Sequence, residues 1–314
     1  MDIIKTERKD QRERKDQGRG HLVIIGGSED RVEDKEILAR FVELSGGADA
    51  KIIVITAASK IPADMWAIYD AAFGALGVRD RSAMHLTARA EANDPDNARR
   101  ILDATGIFMT GGDQKRLLAI IGGSATAGAM HDALLRHGAC IGGTSAGASA
   151  MSAHMLAEGR AELNPEKGAA TLGAGLGLVR RAVIDQHFSE RHRLARLLSI
   201  VAQNPYLHGL GIDEDTALVI TLGDGIEVIG NGSVTLVDGR HLISNVTDAA
   251  RRDSLELIDV RLHMLPAGKR YRRHDADEYA DESADDRGDV PPVPEPLRDL
   301  IDILTQTNTH HENH

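Results

Sequence analysis

Gly143-Thr144-Ser145-Ala146-Gly147 follows the run Ala139-Cys140-Ile141-Gly142 and precedes Ala148-Ser149-Ala150-Met151. A short apolar run ending in glycine predicts a buried strand, and the small residues after Ser145 predict a helix that approaches the sheet closely. Serine on a strand-to-helix turn, with glycine two places before and two after, is the pattern of a nucleophile elbow. The helix start also turns its positive end toward Ser145. Without its flanks the same pentapeptide reads as a Gly-rich turn with no chemistry.

Moving outward, apolar runs over 21–25, 51–56, 83–86 and 106–109 predict further strands. Helical patterns over 37–44, 63–76, 96–104 and 114–121 alternate with them. This rhythm means βαβ units and a mostly parallel sheet. From 217 the pattern changes to short strands over 217–221, 226–229 and 233–237, broken by Gly-Asp-Gly and Gly-Asn-Gly, an antiparallel edge of the same sheet. The chain then divides into a flexible N-terminal arm (1–20), an α/β body (21–269), and an acidic flexible linker with a short C-terminal helix (270–314). Within 271–290 eight acids face three bases, followed by Pro291-Pro292. Leu297, Leu300, Ile301 and Leu304 share one face of the last helix, which docks on the body or on a second subunit.

Bulk properties exclude several classes of function. The 314 residues carry a formal charge of -11 and no long basic block, so nucleic acid is not an expected partner. The first twenty residues hold seven bases, five acids and no apolar run, unlike a signal peptide. No stretch reaches the roughly 20 apolar residues of a membrane span; a cytoplasmic location without membrane contact is expected. The single cysteine, Cys140, excludes an internal disulfide and reads as a core residue. No metal-ligand cluster is visible, so no metal or cofactor is expected.

An elbow serine needs a base and a group that orients it. Val183-Ile184 ends a strand at Asp185-Gln186-His187-Phe188, which makes His187 the best base, although a lone histidine at a strand end is more often structural. In Gly211-Ile212-Asp213-Glu214-Asp215-Thr216 three consecutive acids repel one another, a cost a merely structural turn does not require. Glu214 is the choice for the orienting acid, with Asp213 and Asp215 as solvated turn residues. Thr110-Gly111-Gly112-Asp113-Gln114 is a Gly pair at a strand end opening a helix. Gly112 and Ala146 N–H groups there can form an oxyanion hole, or the segment is an ordinary βα turn.

These motifs, in this order from about Gly26 to Asp238, resemble the cyanophycinases within the aspartyl-dipeptidase-like serine peptidases. The Gly26-Gly27 pair and the arginines Arg191, Arg193 and Arg196 behind His187 complete the likeness. The order Ser, His, Glu differs from the Ser, Asp/Glu, His order of α/β-hydrolases. The resemblance implies a flavodoxin-like three-layer sandwich, Ser145 as nucleophile, His187 as base and Glu214 as acid. It also places Gln114, Asp185, Gln186, Arg191, Arg193 and Arg196 around the substrate, and implies a homodimer. The implied reaction releases β-Asp-Arg dipeptides from cyanophycin, a polyaspartate with arginine on each β-carboxyl. Arginines suit its carboxylates, and Asp185 suits a substrate guanidinium. If 189–201 is helical, Arg191 faces the body with Leu194, Leu198 and Val201. Arg196 then points away, as a substrate contact or a solvated or subunit-contact residue. An aspartyl dipeptidase shares the elbow but has less use for three arginines; a non-catalytic scaffold has no use for the triad.

Overall fold

β1 (His21–Ile25), β2 (Lys51–Ile55), β4 (Gly106–Met109) and β5 (Cys140–Thr144) are runs of Ile, Val and small residues, buried along almost their whole length because helices cover both faces of the sheet they form. The computed structural model describes residues 18–273 and 293–306. Its main sheet has the order β16-β11-β10-β1-β5-β4-β2-β3, with β3 at Asp80–Met84, β10 at Thr216–Thr221, β11 at Gly225–Gly230 and β16 at Arg270–Arg272. The five strands from β3 to β1 are parallel, and β10, β11 and β16 add an antiparallel edge. Counted from β2, the stretch β3-β2-β4-β5 runs in the flavodoxin-like order 2-1-3-4, with β1 in the fifth place.

The three layers follow from side-chain placement. On one face the helices Glu36–Leu44 and Pro62–Ala75 bury Phe41, Tyr69 and Phe73 against Phe108, with the Tyr69 and Phe108 rings 4.8 Å apart. The opposite face is covered by Pro95–Asp103, Gln114–Ile121, Ala125–Arg136 and Ala146–Ala150, which pack on Leu22, Ile24, Ile107 and Ile141. Cys140 lies in the aromatic-side core, and burial pushes its thiol pKa up.

A second sheet, β15-β12-β9-β8, holds β8 (Ala182–Gln186) parallel to β9 (His208–Ile212), followed by antiparallel β12 (Ser233–Asp238) and β15 (Arg261–Pro266). This corrects the expectation that 233–237 extends the main sheet. The free edge of β11 is taken by β16, and the chain turns at Gly230 (φ 98) to pair with β9 instead. The third strand, expected over 83–86, is Asp80–Met84; its polar start Asp80-Arg81-Ser82 sits at the sheet edge and gives no apolar signal.

The helix Glu295–Thr305 packs Leu297, Leu300, Ile301 and Leu304 into the core beside β10 and β11. Gly223 N donates to Thr305 O (2.8 Å), and Arg240 bridges to Asp299 (3.1 Å). The sheet thus extends past residue 269 through β16. Residues 1–17 of the expected arm and 274–292 of the expected acidic linker lie outside the described residues. Among those described, no single helix is long and apolar enough to cross a membrane.

Candidate active site

The site forms at the carboxyl ends of β1 and β5, which run side by side with Ile25 opposite Thr144. There Ser145 adopts φ 52, ψ −108, and its N–H donates to Ile25 O (3.1 Å). A non-glycine residue in such a conformation costs about 1–3 kcal/mol and persists only where its surroundings over-determine it. The elbow glycines supply that determination: a Cβ on Gly143 would lie 2.7 Å from the Gly147 backbone. The helix Ala146–Ala150 has five residues, so the dipole it directs at Ser145 is that of little more than one turn.

Ser145 Oγ lies 2.9 Å from His187 Nε2, and His187 Nδ1 lies 2.5 Å from Glu214 Oε1. His187 follows β8 with φ 48, and its N–H donates to Gly26 O (2.8 Å). Glu214 sits between β9 and β10, where Asp215 N donates to Gly27 O (2.9 Å). Three consecutive carbonyls, Ile25, Gly26 and Gly27, thereby hold the three segments that carry Ser145, His187 and Glu214.

The electrostatics suit a base at neutral pH. Burial lowers the His187 pKa below its usual value, opposed by the hydrogen bond to Glu214 and reinforced by the charges of Arg191 and Arg193. The hydrogen bond from His187 lowers that of Glu214. A neutral imidazole with its Nδ1 proton on Glu214 presents a bare Nε2 to the serine hydroxyl.

Of the three adjacent acids only Glu214 reaches the imidazole. Asp213 and Asp215 are not solvated turn residues, contrary to expectation. Asp213 is buried and accepts from Ser189 N (3.1 Å), Ser233 N (3.0 Å) and Ser233 Oγ (2.8 Å). Asp215 accepts from Asp30 N (2.8 Å) and Asn231 Nδ2 (2.5 Å). Both carboxylates are spent on joining loops.

The acid and arginines behind the base are arranged differently from expectation. Asp185, 1% exposed, is held by Arg196, 5% exposed. Arg196 Nε donates to Asp185 Oδ2 (2.7 Å), Nη2 pairs with Oδ1, and Nη1 reaches Gly159 O (2.9 Å). Asp185 is therefore already occupied by a guanidinium of its own chain, and Arg196 is neither solvated nor open to a ligand. Arg193 Nη1 bonds Gln186 O and Gln186 Oε1 (3.2 Å) and lies 3.5 Å from Asp185 Oδ1. Gln186 Oε1 is in turn 3.4 Å from Ser145 Oγ. Burial, with Arg196 and Arg191 nearby, lowers the Arg193 pKa to about 10, so it stays charged. The helix begins at Leu194, leaving 189–192 in turns, and so Arg191 is exposed rather than turned to the body. Its guanidinium makes no hydrogen bond or ion pair among the described residues, which leaves it open beside His187.

Across the cleft, Gly111 faces the elbow: a Cβ built on it would lie 3.5 Å from Ser145 Cβ. Asp113 fastens this loop, its N–H donating to Ala58 O (3.0 Å) and its carboxylate capping Lys115 N (2.8 Å) and Arg116 N (3.2 Å). Among the described residues, the Gly111, Gly112 and Ala146 N–H groups donate to no acceptor. Gln114 Nε2 is tied to Ala157 O (3.0 Å) and Leu156 O (3.4 Å) of β6 (His154–Gly159). No group of His, Cys, Asp and Glu among the described residues is placed to hold a metal ion.

The sequence pattern alone assigns no role to the Gly26-Gly27 pair. Its role is close approach: Gly27 has φ 107, and a Cβ there would lie 2.5 Å from His187 Nε2. The signal was the pair's place at the end of the strand adjoining the elbow strand.

A serine on a strand-to-helix elbow of a parallel sheet, with Ser, His and Glu in hydrogen-bonded series, is the arrangement of a serine hydrolase. The model of peptidase family S51 matches residues 22–229, and the chain belongs to that family. Among curated relatives, the cyanophycinase of Geminocystis herdmanii (strain PCC 6308) is 39% identical over 256 residues, 81% of this chain and 94% of that one. The cyanophycinase of Synechococcus elongatus is 37% identical over 254 residues, 81% of this chain and 79% of its own. A solved peptidase from an acI-B1 Actinobacterium has the same fold, with TM-score 0.58 and 20% identity, covering 81% of this chain and 97% of that one.

Proposed function

We propose that this serine peptidase is an exopeptidase that hydrolyses cyanophycin to β-Asp-Arg dipeptides through an acyl-enzyme. The observation that carries the reading is the 2.9 Å contact of Ser145 Oγ with His187 Nε2 beside the open guanidinium of Arg191. That cyanophycinases stand among the curated relatives supports the substrate.

Ser145 Oγ attacks the scissile carbonyl carbon while its proton passes to His187 Nε2, and Glu214 stabilises the imidazolium. The oxyanion falls to the free N–H groups of Gly112 and Ala146, with Gly111 bordering the same space; one such donor is typically worth about 3 kcal/mol. His187 returns the proton to the departing amine, and water, deprotonated by the same imidazole, cleaves the ester. Arg191 receives a substrate carboxylate, whereas Arg193 and the Asp185–Arg196 pair hold Gln186 and the base segment from behind. A homodimer in the cytoplasm belongs to the same proposal, and sedimentation of the full chain reads its oligomeric part.

Incubation with insoluble cyanophycin, beside Asp-Leu as a competing substrate, tests the reading. Release of β-Asp-Arg with little Asp-Leu cleavage supports it. Preferential cleavage of Asp-Leu would make the chain an aspartyl dipeptidase.

A further inference from the structure

Directly behind the elbow lies a carboxylate that the hydrolytic steps do not use. Glu29 is 2% exposed, on the loop that follows Gly26-Gly27. Its Oε1 accepts from Tyr69 Oη (2.5 Å) and its Oε2 from Thr144 Oγ1 (2.5 Å). Tyr69 is buried in the aromatic core on the helix Pro62–Ala75; burial, then the charge of Glu29, pushes its phenol pKa well up, so the phenol remains a donor. Thr144 is the last residue of β5, immediately before Ser145.

A buried carboxylate is costly unless its oxygens are satisfied, and here one of its two hydroxyl donors belongs to the nucleophile's neighbour. The Ser145 backbone conformation persists only where its neighbours over-determine it, and Thr144 is the neighbour on its amino side. Thr144 is held on one side by strand pairing with Ile25, whose carbonyl also takes Ser145 N. Its side chain is held on the other side by Glu29.

Building on Ser145 as the nucleophile, we propose that Glu29 is a positioning residue, acting through Thr144 Oγ1 to hold the elbow in its attacking geometry. It touches neither substrate nor reacting atoms. The loop 25–30 then does more than accept hydrogen bonds from the three catalytic segments, because Glu29 returns a side-chain contact to the one that bears the nucleophile.

The test is the rate of Ser145 labelling by a fluorophosphonate in the full chain, read with the melting temperature. Thr144→Val keeps the shape and loses the donor; the proposal expects labelling to fall roughly 10- to 100-fold, the scale of one hydrogen bond to a charged group. Thr144→Ser keeps the hydroxyl and should label within about threefold of the parent. Glu29→Gln should slow labelling, and combining it with Thr144→Val should add less than about threefold to the worse single change. Leu300→Ala in the distant C-terminal helix supplies comparable destabilisation and should leave the rate unchanged. A folded Thr144→Val protein that labels at the parent rate, or rates that track melting temperature across all five variants, would overturn the positioning role. A parent protein that fails to label at Ser145 while folded would instead remove the nucleophile reading, and this inference with it.

Discussion

Gly27 packs so closely on His187 that a Cβ there would stand 2.5 Å from Nε2 and 3.0 Å from Nδ1 of the imidazole. The His187 ring is thus held by hydrogen bonds at both nitrogens and by bare backbone against its face. Gly27→Ala is expected to displace the ring and lower Ser145 labelling by about 100-fold, since a shift of about 1 Å in a catalytic group has that effect. Gly77→Ala is the control: it also has positive φ (83), but nothing lies within 4 Å. It should cost about 1 kcal/mol of stability and no rate. Equal rates for the two variants would show that the ring does not need Gly27.

Glu214→Gln and Asp213→Asn should separate catalysis from stability. The first keeps the shape but removes the charge that stabilises the imidazolium, so turnover should drop on the order of 10²–10⁴-fold with little change in melting temperature. The second weakens a buried acceptor of three donors and should cost about 1–3 kcal/mol while sparing turnover at low temperature. Ser145→Ala should abolish turnover with the fold retained, because alanine accepts the same backbone no worse than serine. The reverse pattern for the two acids would make Asp213 the catalytic carboxylate.

The pH dependence follows from the direction of the His187 shift. Only the neutral imidazole can take the serine proton, and burial holds its pKa below the ordinary value near 6.5. Activity as kcat/KM should therefore persist below pH 6.5 and fall only at a more acid midpoint. Glu214→Gln removes the partner that opposes this shift, so the remaining activity should have an acid midpoint lower still. A parent midpoint above 6.5 would contradict the burial argument.

The three arginines should behave as three different residues. Arg191→Ala should reduce cyanophycin cleavage about 10- to 100-fold while leaving fluorophosphonate labelling intact, because only a substrate contact is lost. Arg196→Ala strands the buried Asp185 carboxylate and should cost about 3–5 kcal/mol of stability. Arg193→Ala should lower both rates together by freeing Gln186. Chemical denaturation and paired rate measurements on each variant distinguish these outcomes, and a stable Arg196→Ala protein would refute the structural assignment of the pair.

Another of the buried histidines, His208, should make stability depend on pH. His208 is 1% exposed, both ring nitrogens lack hydrogen-bond partners among the described residues, and Asp238 lies 4.0 Å away. Burial lowers its pKa to about 4, with Asp238 and Asp299 opposing and Arg240 and Arg181 reinforcing. Between about pH 6.5 and 4 the unfolded chain binds a proton here that the folded chain does not. Stability should fall across that window, by up to roughly 3 kcal/mol from this group. His208→Leu should flatten the slope in urea titrations at pH 7 and 4.5; an unchanged slope would assign it elsewhere.

The alternation of strands and helices and the elbow itself were legible because βαβ units leave long apolar runs and Gly-x-Ser-x-Gly is local. His187 and Glu214 were legible as residue types at strand ends; in space His187 meets Ser145, and Glu214 meets His187. The helix Ala125–Arg136 left no signal, since its buried face is largely Ala127, Ala129 and Ala133 beside Met130 and Leu134. The second sheet was equally hidden, because nothing local tells β12 to leave the edge that β16 fills. That omission carried into the site. The fate of Arg196 depends on Asp185 at the end of β8 and on Gly159 O, long-range neighbours that helical phase alone cannot supply.

The consecutive carbonyls of Ile25, Gly26 and Gly27 give the catalytic segments a shared mechanical ground. Because the segments of Ser145, His187 and Glu214 all bond to this one short stretch of backbone, a displacement of the β1 terminus would act on all three together. The same arrangement imposes a sequence on biosynthesis: the ground is made first, but its last tenant, Asp215, emerges from the ribosome some 190 residues later. Until then neither the His187–Glu214 contact nor the backbone ground beneath it is complete.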